Sequence, residues 1–158
     1  MKKGFFWVLM MMLSLVTLGI GFSGQAYGLQ PDLIVSELLV QSDAGAGFKI
    51  FISDVTRNKG TGDTLSASIT NYYIKPVGYP GKILLGRRYV PELAPNTANM
   101  GGNYLAIPAK DVLTGKGWPV PGDYYILAVS DALKYIAEIS ETNNQRKAPI
   151  RILDPSSP

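Results

Sequence analysis

The chain has 158 residues, with 15 Lys+Arg against 12 Asp+Glu and neither cysteine nor histidine. Without cysteine there is no disulfide. Without either residue there are no Cys/His zinc sites, cysteine nucleophiles or histidine general bases. The length suits one domain, or one domain with a short appendage.

The formal charge of +3 is unevenly placed. Residues 1–28 hold Lys2 and Lys3 and no acid, which leaves 13 basic against 12 acidic residues in 29–158. A nucleic-acid footprint needs a concentrated basic patch. Composition offers none, so no nucleic-acid partner is expected.

Met1-Lys2-Lys3 is followed by almost unbroken apolar sequence over residues 5–22, then by small residues at Ala26 and Gly28. This is the pattern of a secretory signal peptide over 1–28, cut before Leu29, with a cut after Ala26 as the next alternative. A retained anchor is the competing reading, because 18 residues lies near the lower limit for spanning a bilayer. Gly19, Gly21 and the cleavable tail favour cleavage, and no cysteine follows for lipidation. The expected mature chain is secreted or periplasmic, with no membrane attachment.

In the mature part, Pro and Gly punctuate short apolar runs that read as strands. Residues 32–40 open behind Pro31, which suits an edge strand. Residues 48–55 alternate, with Phe48, Ile50 and Ile52 on one face. The turn-rich stretch 58–63 leads to 66–74, which is rich in β-branched and aromatic residues. Strands are expected next over 82–90, and over 98–107 weakened by Gly101-Gly102. Residues 124–129 are almost wholly apolar, as in a central strand buried on both faces. Residues 131–141 read as a turn plus a short strand, too brief for a helix of their own, and 146–153 close the series. About seven strands with little helix predict an all-β, immunoglobulin/fibronectin III-like β-sandwich over 29–153, with 154–158 as a tail. Tyr124 stands where a tyrosine corner would sit in such a fold, or is a plain core aromatic.

Six segments in order carry a family likeness. They are Pro31-Asp32-Leu33-Ile34-Val35; Thr56-Arg57-Asn58-Lys59-Gly60-Thr61-Gly62; Leu84-Leu85-Gly86-Arg87-Arg88-Tyr89-Val90-Pro91-Glu92-Leu93-Ala94; Ile107-Pro108-Ala109; Gly122-Asp123-Tyr124-Tyr125-Ile126-Leu127-Ala128-Val129-Ser130-Asp131; and Ile136-Ala137-Glu138-Ile139-Ser140-Glu141-Thr142-Asn143-Asn144. Together they resemble a CARDB domain, the cell-adhesion-related domain found in bacteria. The resemblance implies an immunoglobulin-like sandwich in a surface or secreted protein, no enzymatic activity, and a ligand that is generally undefined. The stretch between Pro108 and Pro121 is long for the pattern.

Asp131, Glu138, Glu141, Asn143 and Asn144 are the densest cluster of oxygen ligands and a candidate calcium site. The bland alternative, which the residue types favour, is that Asp131, Asn143 and Asn144 satisfy backbone groups in the turn. Trp118, between Gly117 and Pro119, can stack on a sugar or fold back over one end of the sandwich. Tyr72, Tyr73, Tyr79, Tyr89 and Tyr104 could add aromatic contacts, though most are expected in the core or on strand faces. Arg87-Arg88 and Arg146-Lys147 read as solvated protection against edge pairing. Ser130 beside Asp131, with a distant Lys134, is all that a catalytic reading could assemble.

The expected function is therefore a non-catalytic binding or adhesion module. Its partner is an envelope protein or a surface polysaccharide, met through loops and a strand edge. The alternatives are a carbohydrate-binding module using Trp118 and loop tyrosines, or a calcium-stabilised structural domain.

Overall fold

The computed structural model describes residues 28–108 and 121–153. Eight strands and no helix occur among them: β1 (Leu33–Val40), β2 (Asp43–Gly45), β3 (Lys49–Asn58), β4 (Ser68–Pro76), β5 (Ile83–Val90), β6 (Ala98–Ala106), β7 (Gly122–Val129) and β8 (Gln145–Leu153). They form a three-stranded sheet ordered β1-β3-β6 and a five-stranded sheet ordered β2-β8-β7-β4-β5. The expected all-β sandwich is what the chain adopts, with β1 at an edge behind Pro31. No helix of the described residues is long and apolar enough to cross a membrane.

Strict alternation builds β3, whose Ile50, Ile52, Asp54, Thr56 and Asn58 all point inward. The main core joins those isoleucines to Val35, Tyr72, Ile74, Tyr124, Ile126, Ile150 and Ile152 from both sheets. A second cluster of Leu33, Val90, Leu93 and Ile136 seals one end.

Four expectations need correction. Strand β7 is central but not buried on both faces: Tyr125, Leu127 and Val129 alternate with buried neighbours and reach the outer surface. Phe48 lies ahead of β3 and is exposed. Its ring covers Gly45, where a Cβ would come within 2.7 Å of it. Residues 131–141 make turns and no strand, because their backbone donors are taken by a carboxylate and by Pro31. The eighth strand, β2, is three residues long, too short for any periodicity to show. It arises because the chain leaves β1, crosses to the other sheet and pairs in parallel with β8, burying Ala44.

A further correction concerns Arg88, which is buried although Arg87 beside it is exposed. Its guanidinium meets the Asp54 carboxylate in a two-pronged pair, Nε to Oδ1 at 2.9 Å and Nη2 to Oδ2 at 2.8 Å. The Tyr72 hydroxyl donates to Asp54 Oδ1 at 2.5 Å, and Thr56 Oγ1 lies 2.8 Å from Oδ2 and 2.9 Å from Thr70 Oγ1. Arg88 also donates to the Asn99 side chain and backbone carbonyl on β6. The network thus joins β3 and β6 of one sheet to β4 and β5 of the other. Burial, then the hydrogen bond to Asp54, pushes the Tyr72 hydroxyl far above its ordinary pKa. Burial opposes the Arg88 charge, but Asp54 overcomes this and the pKa of Arg88 rises.

Removing one partner of a buried pair leaves an uncompensated charge, which costs about 3–5 kcal/mol. Urea unfolding of Asp54→Ala should show a loss of that size. A double variant with Asp54→Leu and Arg88→Met should lose much less, since no buried charge remains.

Candidate functional site

The acidic residues singled out from the sequence meet at one end of the sandwich, around the start of β1. Asp131 has a positive φ of 39°, and its carbonyl accepts from Lys134 N at 2.8 Å. Its carboxylate accepts from Tyr135 N at 3.2 Å and Ile136 N at 3.0 Å, closing a turn that delivers Ile136 to the end cluster. The Asx-turn chemistry weighed for Asp131 is therefore present. Glu138 reaches back across the sandwich end: one oxygen accepts from the Leu33 amide, the other from Asn144 Nδ2 at 2.7 Å. Asn143 Nδ2 donates to Asp32 at 2.8 Å, and Lys59 pairs with the same carboxylate at 3.4 Å. Glu141 stands apart at the surface, 4.0 Å from Lys134.

Four of the five singled-out residues thus knit one clasp over the first residues of β1, and the fifth pairs at the rim. Ile139 N completes it by donating to Pro31 O at 2.9 Å. The side-chain oxygens of Asn143 and Asn144 are buried without a hydrogen-bond partner. Among the described residues no three acidic side chains gather in a group that could hold a metal ion. Asp32 and Lys59 belong to the clasp but escaped the sequence reading, because they lie more than 70 residues away along the chain.

Ser130 is fully buried, and its hydroxyl lies within hydrogen-bond reach of the Leu33 and Asn144 carbonyls at 3.2 and 3.1 Å. Its oxygen is a structural tie to β1. Tyr124 is a core residue of β7. Trp118 lies outside the described residues. Of the tyrosines, Tyr72 is in the core, while Tyr79, Tyr89 and Tyr104 are exposed.

The outer face of the three-stranded sheet carries an apolar patch, with Lys49, Arg57 and Glu37 around it. Register places Phe51 beside Tyr104, and Val55 beside Met100, while Leu39 lies opposite Ser53. Met100 is 74 % exposed, Tyr104 72 % and Leu39 67 %. The Phe51 and Tyr104 rings pack with centroids 5.0 Å apart. Gly102 makes this face flat, since a Cβ there would lie 2.8 Å from the Phe51 ring.

The CARDB family model matches residues 30–148. The chain belongs to the CARDB family. Its fold is similar to the CARDB domain of a Pyrococcus furiosus protein, a structure described in complex with di-metal ions, at 19 % identity and a TM-score of 0.57. That match covers 78 % of this chain and 90 % of the other. The solution structure of the same archaeal domain gives a TM-score of 0.56 at 19 % identity, over 79 % and 97 % of the two chains. A β-glucosidase of Thermotoga neapolitana has a similar region, with a TM-score of 0.52 and 18 % identity, but the match covers 78 % of this chain and only 16 % of the enzyme. At these identities the likeness is one of fold. No curated protein sequence matches the chain.

In this CARDB domain the clasp carries a titratable weak point. Burial, helped by the charges of Asp131 and Glu141, pushes Glu138 up to about 7 from 4.5, against the hydrogen bonds from Leu33 and Asn144. A raised carboxyl binds protons more readily folded than unfolded, so its contribution to stability is complete below pH 4.5 and is lost as pH rises through about 7. Chemical unfolding in the presence of a chelator should show stability falling across that window. Glu138→Gln should flatten the fall, because the amide can still accept from Leu33 while donating to the Asn144 oxygen after that amide turns over.

Proposed function

We propose that this CARDB chain is an exported, non-catalytic binding module that docks another component of the cell envelope or its surroundings. The basic, apolar and small-residue leader supports export, and family membership supports a module of surface proteins. The observation that carries the docking reading is the outer face of the β1-β3-β6 sheet. Leu39, Phe51, Met100 and Tyr104 are exposed together there, where a solitary antiparallel sheet would carry polar residues. The opposite expectation, edge addition, meets side chains along one flank of the sandwich. Asn103 Nδ2 donates to the Arg87 carbonyl on β5 at 3.0 Å, and Arg88 closes on the Asn99 carbonyl of β6. The face is the better contact.

Exchanging Phe51 and Met100 for serine should leave unfolding stability within about 0.5–1 kcal/mol, as expected for exposed sites. The same exchange should abolish specific capture of the partner from an envelope extract. Undiminished capture by the double variant would remove this face from the reading.

A second reading, calcium stabilisation of the clasp, is favoured by the unpartnered Asn143 and Asn144 oxygens beside Glu138 and Asp32. Calcium takes six to eight oxygens from carboxylates, amides and carbonyls, and these four side chains, with backbone carbonyls and water, are the ones that would hold it. Binding to the folded state alone raises the melting temperature, so calcium should lift it by several degrees over chelator. Coincident melting curves would dispose of the calcium site.

A further inference from the structure

Summed along the chain, the mature charges nearly cancel, yet the fold sorts them. Alternation and register put Lys75 of β4 and Lys147 and Arg151 of β8 on the outer face of the five-stranded sheet. Arg87 of β5 joins them, with Lys82 just ahead of that strand. The acids on this face are Asp43 and Asp123, which flank Arg151 in register. The ion pairs among the described residues use Lys59, Arg88 and Lys134, so these five outer-face cations have no carboxylate partner there. Composition concealed this patch because Asp32, Asp131, Glu138 and Glu141 balance it from the clasp end.

The face is also concave. An open groove of about 550 Å³ runs between Lys75 and Lys147, floored by Tyr125 and Leu127 and walled by Val77 and Tyr79 of the β4–β5 turn. A second groove of about 370 Å³ shares Val77 and Tyr125 and continues to Asp123 and Arg151. Lys75 and Lys147 sit on strands two apart, roughly 10 Å across the sheet. The trough is thus long, shallow and lined by cations on both banks.

Its tyrosines decide the ligand class. The Lys82 ammonium lies 4.0 Å from the Tyr73 ring centre, and the Lys147 ammonium 4.7 Å from that of Tyr125. These contacts cover the aromatic faces that nucleobases would need for stacking. They also hold two ammonium groups in place before any ligand arrives, which lowers the entropic cost of binding. What remains presented is a row of N–H and phenol O–H groups in a trough. That chemistry suits hydroxyls and carboxylates repeating along a polymer.

We propose that this trough binds a linear anionic polysaccharide, a chain of carboxylate-bearing sugars. Each exposed ammonium–carboxylate contact is weak alone, and repetition along the polymer supplies the avidity. The site lies on the sheet opposite the apolar face and does not depend on that face having a partner.

The test is titration of the whole mature chain with polygalacturonate, with neutral dextran and with single-stranded DNA of matched charge. Polygalacturonate should bind at low salt and be released as salt rises, since the contacts are solvent-exposed. Dextran should not bind. Lys75→Gln with Lys147→Gln should weaken polygalacturonate binding about tenfold or more, and the Phe51→Ser, Met100→Ser variant should bind as wild type. Absence of polygalacturonate binding, unchanged affinity in the lysine double variant, equal binding of dextran, or DNA bound as tightly as polygalacturonate would each overturn the proposal.

Discussion

The paired charges of Asp54 and Arg88 constrain nearly everything else in this sandwich. A carboxylate and a guanidinium removed from water are tolerated only when charge, geometry and remaining hydrogen bonds are all satisfied. Here both oxygens of Asp54 and all three nitrogens of Arg88 are engaged. The two partners come from different sheets, so satisfying them sets how the sheets face each other. The requirement propagates to Gly101, where a Cβ would fall 2.6 Å from the Arg88 side chain. It propagates to Asn99 as well, whose side chain and carbonyl receive the outer edge of the guanidinium. Gly101, one of the two glycines that weaken β6 as an isolated strand, is therefore what admits the arginine.

The clasp at the sandwich end solves a different problem. Strand β1 is an edge strand with a bulge between Val35 and Glu37 and a single sheet partner, β3. Its start is held instead by side chains of the 130–144 loop, and the backbone of that loop is held in turn by Asp131. The core network has a permanent cation at its centre. The clasp has Glu138, half-buried among other acids and titrating near neutrality. The two devices consequently respond differently to pH, and the β1 start is the part of the fold that solution conditions can loosen.

Much of this was legible from one chain. Strand existence, the edge position of β1 and the fold class followed from alternation and from Pro/Gly punctuation, because each is a local property. Asp54 had a local signal too: it continues the inward parity of Ile50 and Ile52, as Arg88 shares that of Val90. Parity alone says that a charge points inward, not that its counter-charge lies 34 residues away, so Arg87-Arg88 looked like two solvated residues. The clasp residues were found as a cluster, since most of them are close in sequence, but Asp32 and Lys59 join only through the fold. The basic trough was invisible for the same reason. Its lysines are spread from 75 to 147, and only antiparallel register brings them to one face.

A plain antiparallel sandwich shows water a polar face on each side, and this one departs from that on both sides in opposite senses. The three-stranded sheet presents Leu39, Phe51, Met100 and Tyr104; the five-stranded sheet presents lysines over tyrosines. Between them lies a core about 10 Å thick, pinned by a buried ion pair that resists sliding of one sheet on the other. Coupling between the two faces would require an element with two discrete arrangements that both ligands bias. The two proposed surfaces lie back to back on one sandwich, so a charged polymer on one side and an apolar partner on the other would not compete for the same residues.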